Sequence, residues 1–173
     1  MSQVMSQTSP GSQPSSPLPP PQDGAPVERP HIALVGLMGA GKSAVGRLLA
    51  QAVNMDFVDL DEVIARTAKK PIPDIFREHG EVAFRAAERA ALRQVLAAGR
   101  PTVLATGGGT FADPAARQSI DAVARTIYLK ASPAALLARL GTHDARASRP
   151  LLDGPDPLTV LTRLLDQRAG AYE

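Results

Sequence analysis

Cysteine is absent from this 173-residue chain, and so is tryptophan. The first absence removes disulfides, thiolate nucleophiles and thiolate-held zinc, and it fits a reducing, cytoplasmic address. Aromatic residues make up 3% of the chain, too few to stack the bases of a nucleic acid. The formal net charge is only +2, which suits small anionic substrates and falls short of the basic face that a phosphate backbone demands. His31, His79 and His143 are scattered, which argues against a histidine-based metal site. No apolar run approaches the roughly 20 residues that a membrane-spanning helix needs. These shortages together predict a soluble protein without nucleic-acid or membrane partners.

Proline, by contrast, is concentrated: half of the 16 prolines lie in residues 1–30, among Ser and Gln and with no helical or strand period. Such a leader is expected to be disordered. It lacks the basic and apolar regions of a secretory signal, and it is not the Arg-rich amphipathic stretch of a transit peptide. It carries Asp23, Glu28 and Arg29, a net −1, so residues 31–173 carry +3. That remainder has room for one domain with its own core.

The most informative stretch is Gly36-Leu37-Met38-Gly39-Ala40-Gly41-Lys42-Ser43, which fits G-x-x-x-x-G-K-S/T at every fixed position. A loop of this kind, turning from a strand into a helix, points backbone N–H groups at a phosphate, and glycine leaves the room to do so. Lys42 can reach the β- and γ-phosphates, and the Ser43 hydroxyl can ligate Mg²⁺. The mundane alternative is a chance match in a glycine-rich turn. The context opposes it: Ile32-Ala33-Leu34-Val35 reads as a buried parallel strand, and Ala44, Val45, Leu48, Leu49 and Ala52 recur at helical spacing directly after the loop.

Further on, Asp56-Phe57-Val58-Asp59-Leu60-Asp61 reads as a second strand ending in two carboxylates on one face. On the rim where parallel strands end, one carboxylate could hold Mg²⁺ through water and the other could accept a proton from a substrate hydroxyl; the plainer reading makes Asp61 a helix cap. A short turn from Pro73 stops at Gly80, and a longer helix follows with Val82, Phe84, Leu92, Val95 and Leu96. Arg85 forms either an i,i+4 surface pair with Glu81, which spacing alone favours, or a fork for a substrate carboxylate oriented by Glu88. A third strand, Thr102-Val103-Leu104-Ala105-Thr106, runs into Gly107-Gly108-Gly109, where backbone can approach a ligand. That strand carries no acidic residue at its end, so Asp59 is the natural substitute for a Walker-B aspartate. Asp113 and Pro114 open a helix, Arg125 to Leu129 is a fourth strand, and Ser132 and Pro133 open a helix that carries Arg139. Residues 142–155, with Arg146 and Arg149, read as a mobile lid that could bring charge to the γ-phosphate; Pro157 starts the last helix.

Taken together, the loop, Asp59-x-Asp61, Gly80-Glu81 followed by Phe84-Arg85 and Glu88, the triple glycine, Arg149-Pro150-Leu151-Leu152 and Arg168 followed by Tyr172 resemble the shikimate kinase family from about Ile32 onward. The resemblance implies an α/β fold, a three-layer P-loop kinase with a parallel sheet flanked by helices. It also implies transfer of the ATP γ-phosphoryl group to the 3-hydroxyl of shikimate, a step towards chorismate and the aromatic amino acids, by a cytoplasmic monomer using ATP and Mg²⁺. Carried over by residue, Asp61 binds the shikimate hydroxyls and is the favoured base, acting with Lys42 and Arg149. Arg85, Gly108 and Arg168 hold the substrate. Gly39, Ala40, Gly41, Lys42, Ser43 and Ala44 cradle the phosphates with Arg149, and Arg139 packs on the adenine. Ser43 and Asp59 face the metal. Family members continue past the Arg-x-x-x-Tyr element into a fifth strand and a final helix, so with an end at Glu173 the sequence is expected to be truncated and to lack both. Two rivals remain in view: a gluconate-kinase-like sugar-acid kinase and a non-catalytic nucleotide-binding module.

Overall fold

The computed structural model describes residues 29–141, 152 and 156–173; the leader up to residue 28 and nearly all of the expected lid, Arg149 included, lie outside the described residues. In chain order the elements are β1 (His31–Val35), α1 (Lys42–Ala52), β2 (Asp56–Asp59), α2 (Leu60–Ala68), α3 (Ile72–Leu96), β3 (Thr102–Ala105), a 3₁₀ turn (Thr110–Ala112), α4 (Pro114–Val123), β4 (Ala124–Tyr128), α5 (Pro133–Leu140) and α6 (Pro157–Tyr172). No helix among the described residues is long and apolar enough to cross a membrane.

The four strands form one parallel sheet in the order β2-β3-β1-β4. In β1 the alternation of side chains serves two cores at once. Ala33 and Val35 join the larger core with Leu104, Phe84, Ile120 and Leu161, while Leu34, with Val103 and Ala50, faces the smaller one beneath α1. Burial on both faces explains why β1 and β3 are almost continuously apolar, and it makes the α/β layering the sequence implied.

Three local expectations are corrected. The expected apolar stripe of α1 turns only partly to the sheet: Leu49 packs against the smaller core, but Val45 and Leu48 are 42% and 69% exposed, whereas Gly46 and Ala50 are buried. Small residues win because the helix lies close to the sheet; a Cβ on Gly46 would fall 2.4 Å from Phe57 Cε2. Val82, 83% exposed, likewise lies outside the core that takes Phe84, Leu92 and Val95. Finally, the second strand ends at Asp59, and Asp61 sits in the first turn of α2. Asp59 is the cap, its side chain accepting from the Asp61 N–H.

The turn expected to stop at Gly80 and the helix after it emerge as two segments of α3. They meet where Gly80 takes φ 73° and ψ 177° inside an otherwise helical run. Asp113 caps α4 through the N–H groups of Ala115 and Ala116, and Ser132 caps α5 through Ala135, each with proline at the first helical position.

Candidate active site

Parallel strands end on a common rim, and the loops leaving β1, β2 and β3 converge there. The β1 loop turns at Gly36, whose φ of 138° and whose absent Cβ, which would fall 2.7 Å from the Leu129 carbonyl oxygen, both demand glycine. It ends at Gly41, which precedes the first turn of α1. Lys42 is buried and its ammonium donates to the carbonyls of Gly36 at 2.8 Å and Leu37 at 3.0 Å, so it arches over the loop it follows.

Ser43 donates from Oγ to Asp59 Oδ2 at 2.5 Å. Asp59 therefore divides its carboxylate: Oδ2 meets the loop, and Oδ1 accepts from the Asp61 N–H at 3.0 Å. This division is what carries Asp61 into the same cleft. The cleft, about 410 Å³, is bounded by Met38, Gly39 and Gly41 to Ala44 of the loop on one side and by Asp59, Asp61, Thr106 and Gly108 on the other, while Ala40 is buried behind the loop. From the last turn of α5, Arg139 closes one end and donates to the Ala40 carbonyl at 3.2 Å.

The three consecutive glycines each make room for something different. A Cβ at Gly107 would lie 2.7 Å from Glu88 Oε1 and 3.3 Å from Asp61 Oδ1; one at Gly108 would lie 3.1 Å from the Met38 nitrogen; one at Gly109 would lie 2.9 Å from both terminal nitrogens of Arg85. The run is therefore a packed junction between the carboxylates, the phosphate loop and an arginine. From the opposite side, Arg168 Nη1 donates to the Gly108 carbonyl at 2.9 Å, and the Tyr172 hydroxyl donates to the same oxygen. Burial pushes the Tyr172 phenol up, with Arg168 opposing it, so the group stays a donor.

Arg85 resolves the choice that spacing left open by making both contacts. Its Nη2 meets Glu81 at 3.0 Å and its Nη1 meets Glu88 at 2.9 Å. Burial pulls its pKa down, but the charge and hydrogen bond of Glu88, helped by Glu81, outweigh this and hold the guanidinium above its ordinary value. A permanently charged, oriented fork beside Gly109 is suited to a carboxylate. Arg85 and Arg168 do not border the cleft itself; Arg168 bonds the carbonyl of its lining residue Gly108, and Arg85 packs against the next residue, Gly109. Sequence reasoning passed over Thr106, which lines the cleft and donates to the Leu34 carbonyl at 3.0 Å, and Thr110, whose partner Glu88 lies 22 residues upstream and leaves no local signal.

A phosphate loop at the end of β1, an acidic β2 terminus and an oriented arginine on one rim define a P-loop kinase of the α/β class. The shikimate kinase family model matches residues 38–173. A shikimate kinase from Novosphingobium aromaticivorans is 44% identical over 149 residues, covering 84% of this chain and 75% of the relative. One from Paramagnetospirillum magneticum is 45% identical over 141 residues, covering 82% and 70%. Among solved structures, shikimate kinase from Acinetobacter baumannii in complex with shikimate superposes with a TM-score of 0.78 at 38% identity, covering 83% of this chain and 78% of that one. The chain belongs to the shikimate kinase family.

Proposed function

We infer that this protein is an ATP-dependent shikimate kinase, transferring the γ-phosphoryl group of ATP to the 3-hydroxyl of shikimate. The observation that carries the reading is the convergence, on one rim, of Lys42 and Ser43 with Asp61 and of Arg85 and Arg168 on the glycine run beside them. A triphosphate needs the first set. A hydroxylated carboxylic acid needs the second.

In the proposed reaction the loop N–H groups and Lys42 bind and orient the phosphates, and Asp61 accepts the proton of the attacking hydroxyl. Arg85 and Arg168 hold the ring carboxylate beside Gly108, and Arg139 borders the adenine. Phosphoryl transfer asks a protein chiefly for such positioning and charge stabilisation. Ser43 and Asp59, a hydroxyl and a carboxylate 2.5 Å apart, fit Mg²⁺, which takes few protein ligands beside water and phosphate. Bound there, the ion would neutralise charge on the phosphates. Arg149, outside the described residues, is assigned to the same phosphates from the lid proposed for residues 142–155. The enzyme is proposed to act as a cytoplasmic monomer; the absence of cysteine supports that address.

A coupled assay of ADP release tests the reading. ATP and Mg²⁺ with shikimate should give turnover, and gluconate should give none; turnover on gluconate alone would replace shikimate with a sugar acid, and ATP binding without either turnover would make the protein a nucleotide-binding module.

A further inference from the structure

Glu88 is the most deeply buried carboxylate among the described residues, 3% exposed, and it divides its two oxygens between partners. Its Oε2 accepts from Arg85 Nη1 at 2.9 Å, and its Oε1 accepts from Thr110 Oγ1 at 2.6 Å. Thr110 is itself 1% exposed and stands at the start of the 3₁₀ turn, its N–H bonded to the Gly107 carbonyl at 3.2 Å. Both oxygens of the pair crowd the face of Gly107, where a Cβ would lie 2.7 Å from Glu88 Oε1 and 2.8 Å from Thr110 Oγ1. A carboxylate with one oxygen fixed can turn only about that bond. The hydroxyl of Thr110 therefore fixes the direction in which Glu88 presents its second oxygen to Arg85 Nη1, the buried side of a guanidinium that exposed Glu81 holds from the other side through Nε at 3.3 Å and Nη2 at 3.0 Å.

We propose that Thr110 is a positioning residue for substrate recognition, acting through Glu88 to set the orientation of the Arg85 guanidinium beside Gly109. The inference rests on the assignment of Arg85 to the substrate carboxylate. A hydroxyl is needed here because the partner is a buried ionised acceptor: a methyl in its place leaves one carboxylate oxygen unpaired and free to draw the arginine away. A fork turned out of the plane of the acid's carboxylate weakens its two parallel bonds, and the loss falls on the acid substrate and spares the nucleotide.

The test compares Thr110→Val, which keeps the shape and removes the donor, with Thr110→Ser, which keeps the donor and removes a methyl. Wild-type turnover with shikimate is measured first; its absence would overturn the kinase reading and this inference together. Given that turnover, Thr110→Val should raise the shikimate KM about tenfold and leave the ATP KM within about twofold, and Thr110→Ser should restore the shikimate KM to within about twofold of wild type. A Glu88→Ala background supplies the discriminating readout: there Thr110→Val should cost nothing further, because the carboxylate it steers is gone. An unchanged shikimate KM in Thr110→Val, an equal rise in both KM values, or a full additional loss in the Glu88→Ala background would overturn the inference alone. Should Thr110→Val not fold, Thr110→Ser carries the test: wild-type shikimate affinity by calorimetry supports the hydroxyl's role, and a tenfold loss contradicts it.

Discussion

Arg85 touches two carboxylates of unlike surroundings: Glu81 is exposed and Glu88 is buried. The buried partner holds the guanidinium the more firmly, since the exposed pair with Glu81, though it engages Nε and Nη2, is screened by salt. Replacing Arg85 with alanine should therefore raise the shikimate KM roughly a hundredfold, the loss of about 3 kcal/mol of charge-assisted bonding, with the ATP KM nearly unchanged; steady-state kinetics varying each substrate in turn check this. Arg149 is proposed for the other half of the reaction. Its alanine variant should lose on the order of a thousandfold in kcat with little change in shikimate KM, because charge on the transferring phosphoryl group develops in the transition state. A change confined to shikimate KM would remove Arg149 from the phosphates.

The elements hold these side chains through a few special backbone positions. Gly80 takes φ 73° and ψ 177° within α3, a region that only glycine enters without strain. It sets the angle between the first turns of α3 and the segment that carries Arg85 and Glu88. Gly80→Ala should destabilise the fold by about 1–3 kcal/mol in urea denaturation, and calorimetry should find weaker shikimate binding in whatever remains folded. Asp59 shows why the end of β2 was misread from sequence. Two carboxylates two residues apart fit alternating strand positions as well as a strand followed by a cap, and the difference lies in where the Asp61 N–H finds its acceptor. Asp61 still lines the cleft with Lys42 and Ser43, just past the end of β2. The stripe of α1 was misread for a related reason. Periodicity registers large apolar residues, whereas the contact with Phe57 and Leu34 is made through Gly46 and Ala50, whose smallness sequence patterning does not score.

At the scale of the whole molecule, what the sequence made legible was whatever is local in chain. The phosphate loop, the caps at Asp113 and Ser132 and the glycine run are each contiguous, and each appears where it was expected. What it did not make legible is made across long intervals: Thr110 with Glu88, Arg168 with Gly108, and Arg139 with Ala40. His31 is of that kind too. Although it opens β1, it is 3% exposed, and its Nδ1 has no hydrogen-bond partner among the described residues. Burial lowers its pKa, favouring the neutral ring in the fold. The unfolded chain takes up the proton first, near the ordinary value of about 6.5. Stability should thus be held above that pH, fall as the pH drops through the interval down to the lowered folded value, and level off below it. Urea denaturation at pH 7.5 and 5.5 should show a smaller difference for His31→Leu than for the wild type; equal differences would mean that the buried imidazole contributes nothing to the pH dependence.

The central claim is that the carboxylate of Asp61 meets the hydroxyl that receives the phosphoryl group in the cleft that Lys42 and Ser43 border. The most direct measurement is ³¹P NMR of the reaction mixture from the wild type and from Asp61→Asn, paired with ATP binding by calorimetry. The account predicts shikimate 3-phosphate from the wild type and none from Asp61→Asn, with ATP affinity equal within about twofold. Product from Asp61→Asn at a rate within tenfold of the wild type would contradict it.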